Sequence, residues 1–288
     1  MLAIPNSSGA QPIVKILKET YIRAFSPRAR PVRIALWVAL ATGCMLSTHG
    51  QVIAAGASSA PSFDARTAEQ FKQAKTRFET QTNAEAAWQF GRACFDVAAA
   101  SNDRTRRGEL AETGIAACRE GVLRNPASAP AHYYLGMNLG ELADTRRNLS
   151  GLRLVKEMER EFLAARDLDE HFDFAGADRN LGLLYMQAPV FMSIGSRTKA
   201  RQYLRRAVEV APEYPENRLN LIEACLKWNE TKDARRELKA LEENWAQARS
   251  KFSSPTWAGS WSQWDKRFIA AKRKLDLPSK QLESPHEE

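Results

Sequence analysis

The chain has 288 residues, 44% apolar and 26% charged, with 15 Gly and 13 Pro. A length of this kind holds one or two domains, and the balance excludes wholesale disorder, collagen-like repeats and a polytopic membrane protein. The formal charge of +8 is uneven: residues 1–57 hold Lys15, Lys18, Arg23, Arg28, Arg30 and Arg33 against Glu19 alone, so the other 231 carry +3, an ordinary surface that argues against nucleic acid.

The N-terminus has the order of an export signal. Arg28, Arg30 and Arg33 precede the apolar run Ile34–Leu46, and small residues continue as far as Ala57. Basic, apolar and small regions in that order form the secretory pattern. The 13 apolar residues fall short of the roughly 20 that span a bilayer. Residues 1–57 are therefore expected to be an export segment, and the protein to act in the periplasm. Two processing sites compete. Ala55-Gly56-Ala57 offers small residues to a signal peptidase. Leu40-Ala-Thr-Gly-Cys44 resembles a lipoprotein box, although Ala41 stands where that box has Leu. Cleavage there would lipidate Cys44 and tether the protein to the membrane.

Residues 62–80 predict a polar amphipathic helix with Phe71 and Phe78 seven apart, suited to capping the first repeat. Four helix pairs come next. Their first helices carry Ala87, Phe90, Gly91 and Cys94; His132, Leu135, Gly136 and Leu139; Asp178, Leu181, Gly182 and Tyr185; and Arg218, Leu221, Ile222 and Cys225. Their second helices carry Gly114 and Cys118, Met158 and Phe162, Ala200 and Leu204, and Ala234 and Leu238. Pro126 and Pro212 close the first and third copies. Close antiparallel packing is expected where Gly91, Gly136 and Gly182 meet Gly114, Ala200 and Ala234, with larger apolar residues filling the space around. One pair cannot bury its apolar face alone, so the pairs should stack into a solenoid.

The separation between the last landmark of a first helix and the second-helix landmark is 24, 23, 19 and 13 residues in the four copies. The first three copies thus carry about 11, 10 and 6 extra residues, expected in the turn within each pair and projecting from one face. After the fourth copy, Ser253-Ser254-Pro255 breaks the chain. Trp257, Trp261, Trp264 and Phe268 then fall on one helical face, a C-terminal cap over the last repeat. Residues 62–275 form one helical domain in this reading, and residues 276–288 a disordered tail.

This pattern resembles the tetratricopeptide (TPR) repeat, which implies an all-α solenoid of about four helix pairs with capping helices at both ends. Ala188-Pro189 and Ile194-Gly195-Ser196, leading into Lys199-Ala200, resemble the periplasmic T component of TRAP transporters. That resemblance implies a trimer and contact with a solute-binding protein that carries an organic acid. Gly-Ser stands here where the family has Gly-Gly.

In a solenoid of this type the residues three before and one after each small landmark face the concave side. They are Trp88 and Arg92, Tyr133 and Met137, Arg179 and Leu183, and Leu219 and Glu223; Gln89, Tyr134, Asn180 and Asn220 lie beside them. Aromatics, Arg and Asn together suit an extended peptide, because Asn holds a backbone amide and Arg a carboxylate. The expected function is protein–protein binding. The alternative is a small organic acid bound by Arg179 in a pocket that Tyr185 and Phe191 line. Cys94 and Cys118 face each other across the first pair, and in an exported protein they are the expected disulfide, adding roughly 3 kcal/mol by chain entropy; Cys225 is a core thiol. His132 stands apart from His49, His171 and His286, and Asp167, Asp169, Asp173 and Asp178 lack the order of a calcium loop. No metal, cofactor or catalytic constellation is expected.

Overall fold

The computed structural model describes residues 63–146, 149–189 and 193–276. These residues form ten α-helices and one short 3₁₀ turn. Helix α1 (Phe63–Thr80) precedes four antiparallel pairs: α2 (Ala84–Ala100) with α3 (Arg104–Arg124), α4 (Ala129–Thr145) with α5 (Leu149–Leu168), α6 (Gly176–Gln187) with α7 (Arg197–Val210), and α8 (Pro215–Lys227) with α9 (Thr231–Lys251). The 3₁₀ turn Pro255–Trp257 leads into α10 (Ala258–Asp276). The expected export segment, with Cys44, and the expected C-terminal tail beyond Asp276 lie outside the described residues. No described helix is long and apolar enough to cross a membrane.

Local sequence sets the starts of the helices. Asn83, Asp103, Ser128 and Ser196 each accept a hydrogen bond from a first-turn amide of α2, α3, α4 and α7. Such a cap meets one of the donors a helix start leaves unpaired. Pro130 and Pro215 stand in the first turns of α4 and α8, where proline loses no hydrogen bond.

The glycines on the first helices lie under the larger landmarks of the second. A Cβ on Gly136 would come 2.7 Å from the Phe162 ring, and one on Gly182 would come 2.6 Å from Leu204. The expected small-on-small contact holds only in part. Gly91 approaches the Gly114 carbonyl (3.2 Å from a built Cβ), but its notch is filled by the Cys118 sulfur at 2.1 Å. Gly114 itself makes room for Asn138 of the next pair. Cys94, Cys118 and Cys225 are free, buried thiols, so the expected disulfide is not formed. The Cys118 sulfur is spent on filling the Gly91 notch. Burial pushes the Cys94 thiol up to about 12, with Asp96 adding to the shift, and raises Cys118 as well; these groups are inert as nucleophiles.

The extra residues are not where the spacing placed them. In the first two pairs the turn is only three residues, 101–103 and 146–148. Relative to α8 and α9, helix α2 runs four residues further past its landmark, and α3 begins seven residues earlier, which accounts for all eleven. The second pair does the same with four and six. The additions are one and roughly two helical turns. Only the third pair inserts a loop, nine residues at 188–196, part of which is not described. The lengthened ends are tied together: Arg107 is buried and pairs with Glu141 and Asp144, while Arg104 donates to the Thr145 carbonyl at the end of α4.

A continuous apolar core runs from Phe95 through all four pairs to Leu275. Both caps cover it. Phe71 and Phe78 of α1 pack on Phe90 at 5.6 and 5.3 Å. At the other end Trp264 is fully buried, Trp261 donates Nε1–H to the Phe252 carbonyl (2.7 Å), and Trp245 stacks on Phe268 (4.4 Å, 15°). Burying each such ring is worth about 1.5–3 kcal/mol, so the tryptophan face serves the core.

His132 on α4 bridges two segments. Its Nδ1 lies 2.7 Å from Glu161 Oε2 and its Nε2 lies 3.0 Å from the Pro126 carbonyl. Both partners only accept, so the charged ring, with hydrogen on both nitrogens, is the form that satisfies both contacts. The hydrogen bond to Glu161 raises the His132 pKa above 6.5. Burial disfavours the Glu161 charge, but His132 and Arg160 outweigh it and hold that carboxyl below 4.5.

Gly136→Val is expected to cost about 1–3 kcal/mol by overpacking, read as a lower Tm, and Phe162→Leu in the same chain should recover part of it. The His132–Glu161 pair stabilises the fold fully between the unfolded-state values of about 4.5 and 6.5 and is lost as pH rises through the raised His132 value. The difference in urea-unfolding free energy between wild type and His132→Asn should therefore be largest near pH 5–6 and shrink above neutrality.

Candidate functional site: the inner face of the solenoid

The first helices α2, α4, α6 and α8 bring the predicted residues to one face. At its N-terminal end the Trp88 indole lies parallel to the Tyr134 ring (5.7 Å, 3°) and donates Nε1–H to Glu85. The exposed Arg92 guanidinium stands 5.8 Å from the same ring and 3.6 Å from Asp96. At this end Trp88 is half-buried and Arg92 exposed, while Tyr134 is buried at 4% exposure.

Further along, the same face is closed. Tyr133 is 0% exposed and donates its hydroxyl hydrogen to Asp173 Oδ2 (2.6 Å); the hydroxyl oxygen accepts from Asn180 Nδ2 (3.1 Å). Asn180 also donates to the Met137 sulfur at 3.3 Å. Arg179 is 4% exposed. Its Nη2 donates to Asp173 Oδ2 (2.6 Å), and its Nη1 faces the carbonyls of Asp173 (3.1 Å) and Phe174 (3.2 Å) and Asn217 Oδ1 (3.1 Å). The Tyr214 ring lies 5.2 Å from the guanidinium carbon. Burial opposes the Arg179 charge, but Asp173 and its other neighbours outweigh it and raise the group's pKa. Burial, followed by Asp173, pushes the Tyr133 phenol well above its usual value, so it stays a donor.

At the C-terminal end, Arg267 of α10 donates to Asn220 Oδ1 and to both Glu223 oxygens (2.7 and 2.9 Å), with the buried Glu216 at 3.6 Å. Burial raises the Glu216 carboxyl above its usual value although Arg179 and Arg267 act against it.

The closing element is the linker 169–175 between α5 and α6. The linkers 125–128 and 211–214 have four residues with proline second; this one has seven and no proline. Asp173, Phe174 and Ala175 have φ of 51, 55 and 59°. Left-handed backbone costs such residues about 1–2 kcal/mol each, so the contacts must over-determine it. Arg179 and Asn217 do so by holding the carbonyls. Gly176 completes the turn, because a Cβ there would lie within 3 Å of both the Asp173 carboxylate and the Tyr133 ring.

The nine predicted residues stand on α2, α4, α6 and α8, and the side chains of all but Tyr134 have a hydrogen-bond or ion-pair partner within the chain: Trp88, Arg92, Tyr133, Met137, Arg179, Asn180, Asn220 and Glu223. The expected carboxylate partner of Arg179 is Asp173. The pocket expected between Arg179 and Tyr185 is not assembled: Tyr185 stacks on Tyr203 (5.4 Å, 18°) and its hydroxyl meets Glu159, and Phe191 lies outside the described residues. Asp173 was read only as part of an acidic cluster, and Phe174, Asn217 and Arg267 were not singled out. The unusual length of the 169–175 linker was the signal that could have found the first two. Among the described residues no three His, Cys, Asp or Glu side chains gather into a metal-ion site.

Arg179→Met leaves the Asp173 carboxylate without its cation. The expected cost is about 3–5 kcal/mol, measured by urea unfolding, and well above the loss at an exposed arginine such as Arg92→Met.

Comparison with known proteins agrees with this architecture. Residues 58–174 match the family model described as Regulator of microtubule dynamics protein 1-3, and residues 195–249 match a tetratricopeptide repeat model. No curated protein sequence matches the chain. The crystal structure of a thermophilic TPR protein from Thermus thermophilus is similar at a TM-score of 0.52 and 17% identity, over 72% of this chain and 91% of that one. That likeness is one of fold: the described residues form a TPR-like α-solenoid, and residues 195–249 within it match a tetratricopeptide repeat.

Proposed function

We propose that the chain is a protein-interaction scaffold of the TPR type, acting outside the cytoplasm. The observation that carries the reading is the inner-face surface of Trp88, Tyr134 and Arg92, where an aromatic pair and an exposed guanidinium lie side by side. Tryptophan, tyrosine and arginine are the residues on which binding energy concentrates. The family matched by residues 58–174 is named for regulating microtubule dynamics, which supports a role through protein contacts.

Three finer points belong to the proposal. Export rests on the order of residues 28–57. Lipidation at Cys44 would hold the scaffold at a membrane. Service to solute uptake, in an oligomer, rests on the Ala188–Ser196 motif and its resemblance to TRAP T components.

In-cell crosslinking of the wild type, Trp88→Ala and Arg92→Glu tests the reading. Both variants should fold with unchanged circular dichroism and lose at least five-fold of one crosslinked partner. Equal capture by all three would overturn it.

A further inference from the structure

The contacts that close the inner face are those of a receptor with a peptide. On the receptor side stand residues of three first helices and the C-terminal cap: Tyr133 of α4, Arg179 of α6, Asn217 of α8, and Trp257. On the ligand side stands Phe172-Asp173-Phe174. The Phe172 ring meets Tyr133 edge-on at 5.3 Å and Tyr134 at 6.2 Å. The Asp173 carboxylate receives Arg179 and Tyr133, both at 2.6 Å. The Phe174 ring stacks on Tyr214 (4.6 Å, 9°) and meets the edges of Phe252 (5.4 Å) and Trp257 (5.9 Å). Its carbonyl receives Arg179 at 3.2 Å and Asn217 Nδ2 at 3.0 Å. Two aromatic seats flank a carboxylate seat, and main-chain oxygens are held as well. Side-chain and main-chain recognition together are what a peptide groove provides.

The linker makes these contacts in a left-handed backbone at Asp173, Phe174 and Ala175. It is three residues longer than the linkers 125–128 and 211–214, the second of which brings Tyr214 to the same site.

We propose that the inner face of α4, α6 and α8 is a binding site for an aromatic–Asp–aromatic segment of a partner protein, and that residues 169–175 fill it as a tethered stand-in which the partner segment displaces. The inference rests on the scaffold reading and names its partner chemistry. Asp173 supplies the charge that the buried Arg179 requires, so a partner segment must bring its own carboxylate before the linker leaves.

The test uses the full chain and a probe peptide, the acetylated and amidated Asp-Glu-His-Phe-Asp-Phe-Ala with a fluorophore. A variant with Phe172→Ser, Asp173→Ser and Phe174→Ser should bind it at least ten-fold tighter than wild type does. Replacing the central Asp of the peptide by Ala should weaken binding at least ten-fold. A folded variant that ignores the peptide at millimolar concentration, or takes both peptides equally, overturns the proposal. If the variant does not fold, native-state hydrogen exchange on the wild type decides. The Phe174 and Gly176 amides are hydrogen-bonded to His171 and Phe172 carbonyls. Their exchange through openings at least 100-fold more frequent than those of the α4 core amides supports displacement; exchange at the α4 rate shows a fixed strut and overturns it. Absence of peptide binding alongside lost crosslinking in Trp88→Ala sinks this inference alone, while peptide binding with unchanged crosslinking sinks the Trp88 surface instead.

Discussion

The buried Arg179 guanidinium sets the arrangement of the inner face. Dehydrating such a cation costs several kcal/mol, and the cost is met only where acceptors surround it. Here they come from the linker and from α8, with the Tyr214 ring alongside. Each acceptor is itself fixed: Asp173 by Tyr133, Asn217 by the carbonyls of Ala207 and Ala211. One charge thereby couples the first helices of three successive pairs. In a solenoid, where contacts otherwise join only neighbours, this is a longer-range tie.

The two edges of the inner face are built by different means. Along the edge of the intra-pair turns, α2 to α5 are lengthened and Arg107 clasps Glu141 and Asp144. Extra helical turns with regular packing need no strained backbone. Along the linker edge the chain instead turns back in a left-handed run to reach Arg179. The first arrangement lengthens the helices at the intra-pair turns; the second closes the face near Tyr133 and Asn180. A buried ion pair of this kind is weak evidence for stability. Its effect here is to fix which backbone conformation the linker adopts.

The architecture was legible because its determinants are local and periodic. Glycine followed by a large residue one helix later, at Gly136 and Phe162 or Gly182 and Leu204, records a packing contact directly in the spacing. The tryptophan spacing after Pro255 gave the cap for the same reason. The extra residues of the first pairs were counted correctly but assigned to turns, because a count between two landmarks does not say whether the intervening chain is coil or helix. The helical content was visible in residues such as Ala98 and Ala99, which bury on the added turn of α2. The inner-face positions followed from the repeat phase. Their occupancy did not: nothing in the phase of α6 says that Arg179 meets a carboxylate six residues upstream, since that meeting depends on three consecutive left-handed residues, none of them glycine. The Cys94–Cys118 pairing failed on a similar detail, the direction in which one sulfur points.

A scaffold whose groove is filled by its own linker binds more weakly than its contacts alone allow. Its apparent dissociation constant is the intrinsic one divided by the open fraction. A linker open about 1% of the time therefore weakens apparent affinity roughly 100-fold. That loss falls on every candidate, and a segment recovers it only by satisfying both aromatic seats and Arg179 together. A segment with aromatics but no carboxylate would leave the guanidinium buried and unpaired, an arrangement costing several kcal/mol; one with a carboxylate alone would leave the Tyr214 and Tyr133 faces uncovered. The tether thus converts a general aromatic groove into a selective one. Phe172 of the linker packs on Tyr134 beside Trp88 and Arg92, and Arg92 stays exposed, so a partner can make first contact there and be held nearby while the linker opens. Two weak contacts on one chain then act as a single stronger one, and the order of events follows from which part of the face is already open.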